Sequence, residues 1–314
     1  MPAIVDFHAH VLPDWIQKLS SKIPTSGFRK NARYWLKPLT RGLHRSQIFL
    51  RHLPKEIQKP LSEVGSFLSL PGMAVESTPT DLAEAMAQAS VTAAVIIAVP
   101  KIASNEFILE LCKNSDVLIP AVNISFGTPA PARALRGYIK EGAKILKLHP
   151  ALDGAKPDSD HYQDLLEVAA EAELPVIIHT GCIHSSFLFK NAELGEASLF
   201  KPWFKNFPSV QFILAHMNFH EPKIALDLCD EYSNVLVDTS WQPAEVIGEA
   251  VRRIGAERVL FGSDWPVIGH NMKIGIDRIN DCIQSGMLTP KQAALVLGLN
   301  AARVLKRDFH GSDF

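Results

Sequence analysis

The stretch Ile4-Val5-Asp6-Phe7-His8-Ala9-His10 reads as a β-strand that ends on two histidines. Side chains two apart on a strand share a face, so both imidazoles can converge on one ion, whereas the same spacing on a helix would turn them apart. Three later apolar runs finish on ligand-type residues as well: Val176-Ile177-Ile178-His179-Thr180, Phe212-Ile213-Leu214-Ala215-His216 and Phe261-Gly262-Ser263-Asp264. A lone His-x-His is more often an ordinary pair of strand histidines, because short motifs recur by chance. His179 and Asp264 at matching strand ends reverse that reading and point to a metal-dependent enzyme.

Outward from these runs, short segments rich in Val, Ile and Leu alternate with longer ones of helical apolar spacing, the pattern of parallel strands joined by crossover helices. Strands are expected over residues 2–8, 92–99, 117–123, 143–149, 175–180, 210–216, 233–239 and 257–263. Helices are expected over 81–89, 105–114, 130–141, 160–173, 221–232 and 244–254. Eight βα units favour an α/β chain folded as a (β/α)8 barrel, in which chemistry sits on the loops after the C-terminal strand ends. His8, His10, His149, His179, His216 and Asp264 all fall at, or one residue beyond, such an end.

Residues 11–80 break this rhythm and read as a basic helical insertion after the first strand, a cap over the mouth of a single barrel domain spanning 1–314. Between Asp14 and Pro60 there are eleven Lys and Arg against two acidic residues, a balance of +9 that leaves about −10 for the rest of a chain whose net charge is −1. A solvated helical surface is the simplest account of that charge. A functional one has Arg29, Arg33, Arg41, Arg45 or Arg51 steer an anionic substrate to the barrel. The interleaved Trp15, Phe28, Tyr34, Trp35 and Phe49 also permit a membrane-surface helix or a subunit contact such as a homodimer.

A chain of 314 residues with 47% hydrophobic content can bury a full core. The near-zero net charge gives no reason to expect nucleic acid. Cys112, Cys182, Cys229 and Cys282 are scattered and form no Cys-x-x-Cys pair, which fits a reducing, cytoplasmic setting. No signal peptide is read at the start, and the apolar run from Ala93 to Pro100 is too short to be a transmembrane segment.

His8, His10, His179 and Asp264 would supply three imidazoles and a carboxylate, a donor set that suits zinc and also admits manganese, iron or cobalt. Such an ion lowers the pKa of bound water from 15.7 to roughly 7. His216 could stay off the metal as a general acid or base, or bind a second ion. Lys147 and His149 alternate on one face of the fourth strand. A lysine pointing into a barrel is costly unless it pairs with a carboxylate, meets a substrate anion or is carboxylated to bridge two metals. His149 either bonds the barrel wall or contacts substrate, and His184 and His220 read as ordinary loop histidines. Asp264 as a helix cap is disfavoured by the Trp265-Pro266 that follows it.

Asp6-Phe7-His8-Ala9-His10, Lys147-Leu148-His149-Pro150, His179-Thr180-Gly181, Leu214-Ala215-His216-Met217, Gly262-Ser263-Asp264-Trp265-Pro266 and Gly298-Leu299-Asn300-Ala301-Ala302-Arg303 form an ordered set. Together they resemble the amidohydrolase-related branch of the amidohydrolase superfamily, which includes aminocarboxymuconate-semialdehyde decarboxylase and 2-pyrone-4,6-dicarboxylate lactonase. The resemblance covers nearly the whole chain except 11–80. It implies a TIM barrel, one metal on His8, His10, His179 and Asp264, and His216 as acid or base. In binuclear members the fourth-strand lysine is carboxylated, and Lys147 stands at about that position. Relatives often carry two glycines after the sixth-strand His-Met; here Asn218-Phe219-His220 makes that pocket more crowded and more polar.

The expected function is hydrolysis of an amide, ester or lactone in a small anionic substrate, with Asp264 orienting and deprotonating the water and His216 stabilising or protonating the reacting group. Non-oxidative decarboxylation of a small carboxylic acid at the same ion is the rival reaction. A catalytically silent barrel that binds an anionic polymer or membrane through its insert is the alternative of another class.

Overall fold

A computed structural model describes residues 3–13, 42, 46, 49–182, 184–185, 188–267 and 271–309, without the side chains of 67–75. Of the insertion expected over 11–80, residues 14–48 other than 42 and 46 lie outside the described residues, and with them Arg29, Arg33, Arg41 and Arg45. Eight parallel strands run in sequence order: β1 Val5–Ala9, β2 Ala93–Ile97, β3 Leu118–Asn123, β4 Ile145–Leu148, β5 Val176–His179, β6 Phe212–Ala215, β7 Val235–Asp238 and β8 Val259–Leu260. The sheet curls back on itself beyond β8. Phe7 N donates to Phe261 O at 2.8 Å, Asp264 N to His8 O at 2.7 Å and His10 N to Trp265 O at 2.6 Å. The chain is a (β/α)8 TIM barrel.

All eight expected strands are present. Beta-branched and apolar side chains pack on both faces of each, as strands with no solvent side require. Val5, Phe7, Val95, Ile97, Ile119, Ile145, Ile177, Ile213, Leu236 and Leu260 fill the barrel, while Ile96, Val122, Leu146, Ile178, Leu214 and Val237 meet the surrounding helices. The six expected helices form with ends shifted by up to two residues. One starts at Pro79 instead of Asp81 because Thr78 caps it, its hydroxyl accepting from Asp81 N at 3.2 Å while the Asp81 carboxylate accepts from Thr78 N at 3.0 Å. Helix Lys55–Val75 lies within the segment 11–80 read as a helical insertion, whereas Asn271–Gln284, Pro290–Ala294 and Asn300–Leu305 were not among the expected elements. No helix among the described residues is long and apolar enough to cross a membrane.

Two features of the strands position the site. Inward parity carries Ile145 to Lys147, Ile177 to His179 and Leu236 to Asp238, so the last inward residue of β4, β5 and β7 is polar. In β1 the pairing slips by one residue between Asp6 and Ala9, since Asp6 pairs with Ala94 but Ala9 with Ile96. This bulge lets Phe7 and His8 both face the interior and re-aims His8 towards the site.

Candidate metal centre

His8 and His10 leave β1 with their tautomers set by what holds the other ring nitrogen. Nδ1–H of His8 donates to Asp238 Oδ2 at 2.8 Å, and Nδ1–H of His10 donates to the Ile97 carbonyl at 3.0 Å. Both Nε2 atoms therefore carry lone pairs. They face Asp264 Oδ1 at 3.5 Å and 3.3 Å, and one ligand atom from each of the three residues lies within 4.8 Å of the others. The second oxygen of Asp264 accepts from Trp241 Nε1 at 2.7 Å. Two lone pairs and a carboxylate oxygen converging without a proton between them repel one another unless a cation sits there, so the residues fit a divalent ion.

Asp238, buried at the end of β7, organises a second histidine too. Its Oδ1 accepts from the Ser240 hydroxyl, from Ser240 N at 3.0 Å and from His216 N at 3.0 Å. Because the Ser240 hydroxyl gives its proton to Asp238, its oxygen accepts Nδ1–H of His216 at 2.7 Å. Nε2 of His216 is thus the unprotonated nitrogen. The His216 ring lies 4.9 Å from that of His8 and 5.1 Å from that of His179. Asp238 also forms, with His8 and His216, a second set of potential ligand atoms within 4.8 Å. There the His8 nitrogen is the one already bonded to Asp238, which marks this carboxylate as an orienting partner.

His179 stacks on His149, ring centroids 3.9 Å apart, with Phe189 against both. Its Nε2 is buried without a hydrogen-bond partner, and it falls outside the 4.8 Å set made by His8, His10 and Asp264. His149 Nδ1 accepts from Leu152 N at 3.1 Å and so caps the short helix Pro150–Asp153. Lys147 is buried, and its Nζ has no hydrogen-bond partner. Burial lowers its pKa to about 8, with Asp238 and Asp264 opposing the drop. Burial likewise holds His8, His149 and His179 below the usual histidine value and His216 at about 3, while the surrounding histidines keep Asp264 far below the carboxylate range despite its burial. Of the loop histidines, His184 lies 3.7 Å from Glu193, and His220 has a buried Nε2 without a partner.

The amidohydrolase family model matches residues 5–307. The chain belongs to the amidohydrolase family. No curated protein matches it in sequence. Among solved structures, an uncharacterised TIM-barrel protein from Bordetella bronchiseptica is similar at 19% identity and a TM-score of 0.65, over 97% of this chain and 98% of its own. A dihydroxybenzoic acid decarboxylase from Polaromonas, with bound manganese and an inhibitor, is similar at 13% identity and 0.64, over 98% and 97%. A probable 2-pyrone-4,6-dicarboxylic acid hydrolase from Acinetobacter baumannii is similar at 13% and 0.51, over 72% and 88%. At these identities the likeness establishes the fold.

In this amidohydrolase the turn after β6 is strained. His216, Met217, Asn218 and Phe219 take φ values of 62°, 45°, 59° and 51°, the left-handed region that glycine enters freely and other residues at a cost. Gln242 Nε2 holds the turn by donating to His216 O at 2.6 Å and Phe219 O at 2.9 Å, and Thr180 Oγ1 accepts from Asn218 N at 3.0 Å. These bonds tie down a turn built entirely of residues other than glycine. Gly262, just after β8, serves closeness instead: a Cβ there would meet His8 Cβ at 3.0 Å and Asp238 Cβ at 3.2 Å, the two side chains whose bond orients the site.

Asp6, Asp238, Ser240, Trp241 and Gln242 were not singled out from the sequence. Asp238 was within reach, since Val235-Leu236-Val237-Asp238 ends a buried strand on a carboxylate just as β5 ends on His179. Asp6 accepts from His8 N at 3.0 Å, Ser263 N at 2.9 Å and the Ser263 hydroxyl at 2.5 Å, pinning β1 to the segment after β8; burial pushes its carboxyl up to about 7.

Proposed function

We propose that this chain hydrolyses an ester, lactone or amide bond in a small anionic substrate, with His216 as general base. The observation that carries this reading is the His216 tautomer: with Nδ1–H committed to Ser240 and burial keeping the ring unprotonated at neutral pH, a lone pair at Nε2, beside His8 and His179, is open to a hydrogen bond from the attacking water. His8, His10 and Asp264 would hold a divalent cation, with the unpartnered His179 Nε2 as the fourth donor. When bound, such an ion polarises a carbonyl and acidifies water. Three imidazoles with one carboxylate suit zinc; manganese, present in the decarboxylase structure, is the second candidate.

Asp264 keeps a ligand's role here. One of its oxygens is taken by Trp241 and the other faces the two Nε2 atoms, which leaves proton transfer to His216. Lys147 Nζ, buried without a partner, matches a substrate carboxylate and orients it towards His216. Carboxylation of Lys147 would remove that charge and bring a second ion, which would then draw on His149 or His216. His149 is committed at Nδ1 to its helix cap and contributes through its stack on His179. Arg51, whose guanidinium reaches Gln242 Oε1 at 3.4 Å, is the described member of the basic insert that can steer an anion to this mouth.

Decarboxylation is the second reading, favoured by the same buried lysine and by the dihydroxybenzoic acid decarboxylase that matches the chain almost end to end. Turnover of a panel of lactones, esters and carboxylic acids in heavy-oxygen water separates the two. Hydrolysis places the label in the product acid and releases no carbon dioxide. Turnover that survives chelation and metal depletion would refute both readings.

A further inference from the structure

His149 carries the opposite tautomer to the other histidines whose ring nitrogens are fixed at this centre. Its Nδ1 accepts from Leu152 N at 3.1 Å, an N–H shared with the His149 carbonyl at 3.0 Å in the first turn of the helix Pro150–Asp153. A ring nitrogen that accepts holds no proton, so this imidazole is neutral with its proton on Nε2. His8, His10 and His216 give Nδ1–H to a partner and present lone pairs at Nε2, whereas His149 presents an N–H. That N–H has no acceptor among the described residues, and the side chain is partly exposed. The ring nevertheless belongs to the centre. It follows Lys147 on the inward parity of β4, stacks on His179 with centroids 3.9 Å apart, and interacts electrostatically with Lys147, His216 and His10.

We propose that Nε2–H of His149 donates a hydrogen bond to the substrate's carbonyl oxygen as charge builds on it, which makes His149 a catalytic residue in addition to its cap and its stack. This deepens the hydrolysis reading and rests on it. As the water oxygen bonds to the carbonyl carbon and its proton passes to His216 Nε2, the carbonyl π pair moves onto oxygen, and a donor fixed there stabilises it. The pair returns when the leaving oxygen or nitrogen departs with the bond pair and takes the proton from His216. His149 keeps its own proton throughout. A neutral imidazole fits this task, because it polarises an oxygen without burying a charge. Lys147 Nζ, the other donor here without a partner, is taken up in the same reading by the substrate carboxylate.

Zinc-loaded wild type is compared with two variants that share only the loss of this N–H. His149→Asn keeps a side-chain oxygen able to cap the helix and loses the stack, whereas His149→Phe keeps a ring against His179 and loses the cap. At equal zinc content, both should lower kcat on the best lactone or ester of the panel about 100-fold with little change in KM. Both should also bind methylphosphonate, a tetrahedral oxyanion, at least about tenfold more weakly than wild type by calorimetry. Heavy-nitrogen NMR of histidine-labelled wild type, with His149 assigned by its absence from the variants, should find the proton on Nε2. A proton on Nδ1, no methylphosphonate binding by wild type, or wild-type kcat in either variant overturns the proposal; in His149→Phe that kcat would leave the stack as the role, and in His149→Asn the cap. Turnover that resists metal depletion would instead refute the hydrolysis reading, and the NMR result would stand apart from it.

Discussion

Replacing Lys147 by Met should make the metal-free protein more stable. Lys147 is the last inward-facing residue of β4, with its Nζ unpartnered, and its pKa falls from the usual 10.5 to about 8. At about 1.4 kcal/mol per tenfold change in proton affinity, keeping it charged costs about 3 kcal/mol at neutral pH. Methionine has a similar length and no charge, so it fills the space and removes that cost. For a chain of this size the gain raises the melting temperature by about 5 °C. The sign with pH follows from the depressed value. Below pH 8 both the folded and the unfolded lysine are charged and the penalty is full; between about 8 and 10.5 the folded lysine is neutral while the unfolded one still binds a proton, so wild-type stability rises. The advantage of Lys147→Met should therefore shrink over that window and vanish above it. Scanning calorimetry of chelated protein from pH 7 to 10.5 reads both effects. A variant that melts at or below wild type throughout would mean that Nζ has a fixed anionic partner or carries carboxylate, and the substrate-anchor role would fall with it.

Asp238→Asn should lower metal affinity by about 10- to 100-fold, because it removes the acceptor that fixes the His8 tautomer; metal content after dialysis against a competing chelator reads this. Ser240→Ala should leave metal content near wild type yet cut kcat by about 10- to 100-fold, since His216 would lose its Nδ1 partner. Equal metal loss in both variants would contradict the division of labour. Gly298→Ala should destabilise by about 3 kcal/mol or more, because its Cβ would lie 1.9 Å from the Ala3 carbonyl oxygen next to β1; a urea titration within about 1 kcal/mol of wild type would refute that packing.

The barrel was legible because its signal is local and repeated. Each strand is a short apolar run, as in Val176-Ile177-Ile178, and several end at or beside a residue the core would otherwise reject, as at Lys147, His179, His216 and Asp238. Strand existence held at all eight places, while β8 shortened to Val259–Leu260 because the backbone after it bonds to β1 and completes the curl. The helix Asn271–Gln284 escaped notice although its apolar residues Met272, Ile276 and Ile279 sit at helical spacing. Lys55–Val75 falls inside the segment read as a helical insertion, but nothing in its sequence tells that Ile57, Leu61 and Val64 face outwards.

The sequence by itself determined the order of the βα units and the residue types at the strand ends, since parity along a strand and apolar periodicity depend only on neighbours in the chain. Tertiary structure alone decided which nitrogen of each histidine is free. That choice belongs to Asp238, Ser240 and the Ile97 carbonyl, which stand 230, 24 and 87 residues away from the rings they hold. Only the closed sheet brings them within hydrogen-bond distance, and with them the lone pairs of His8, His10 and His216 are aimed.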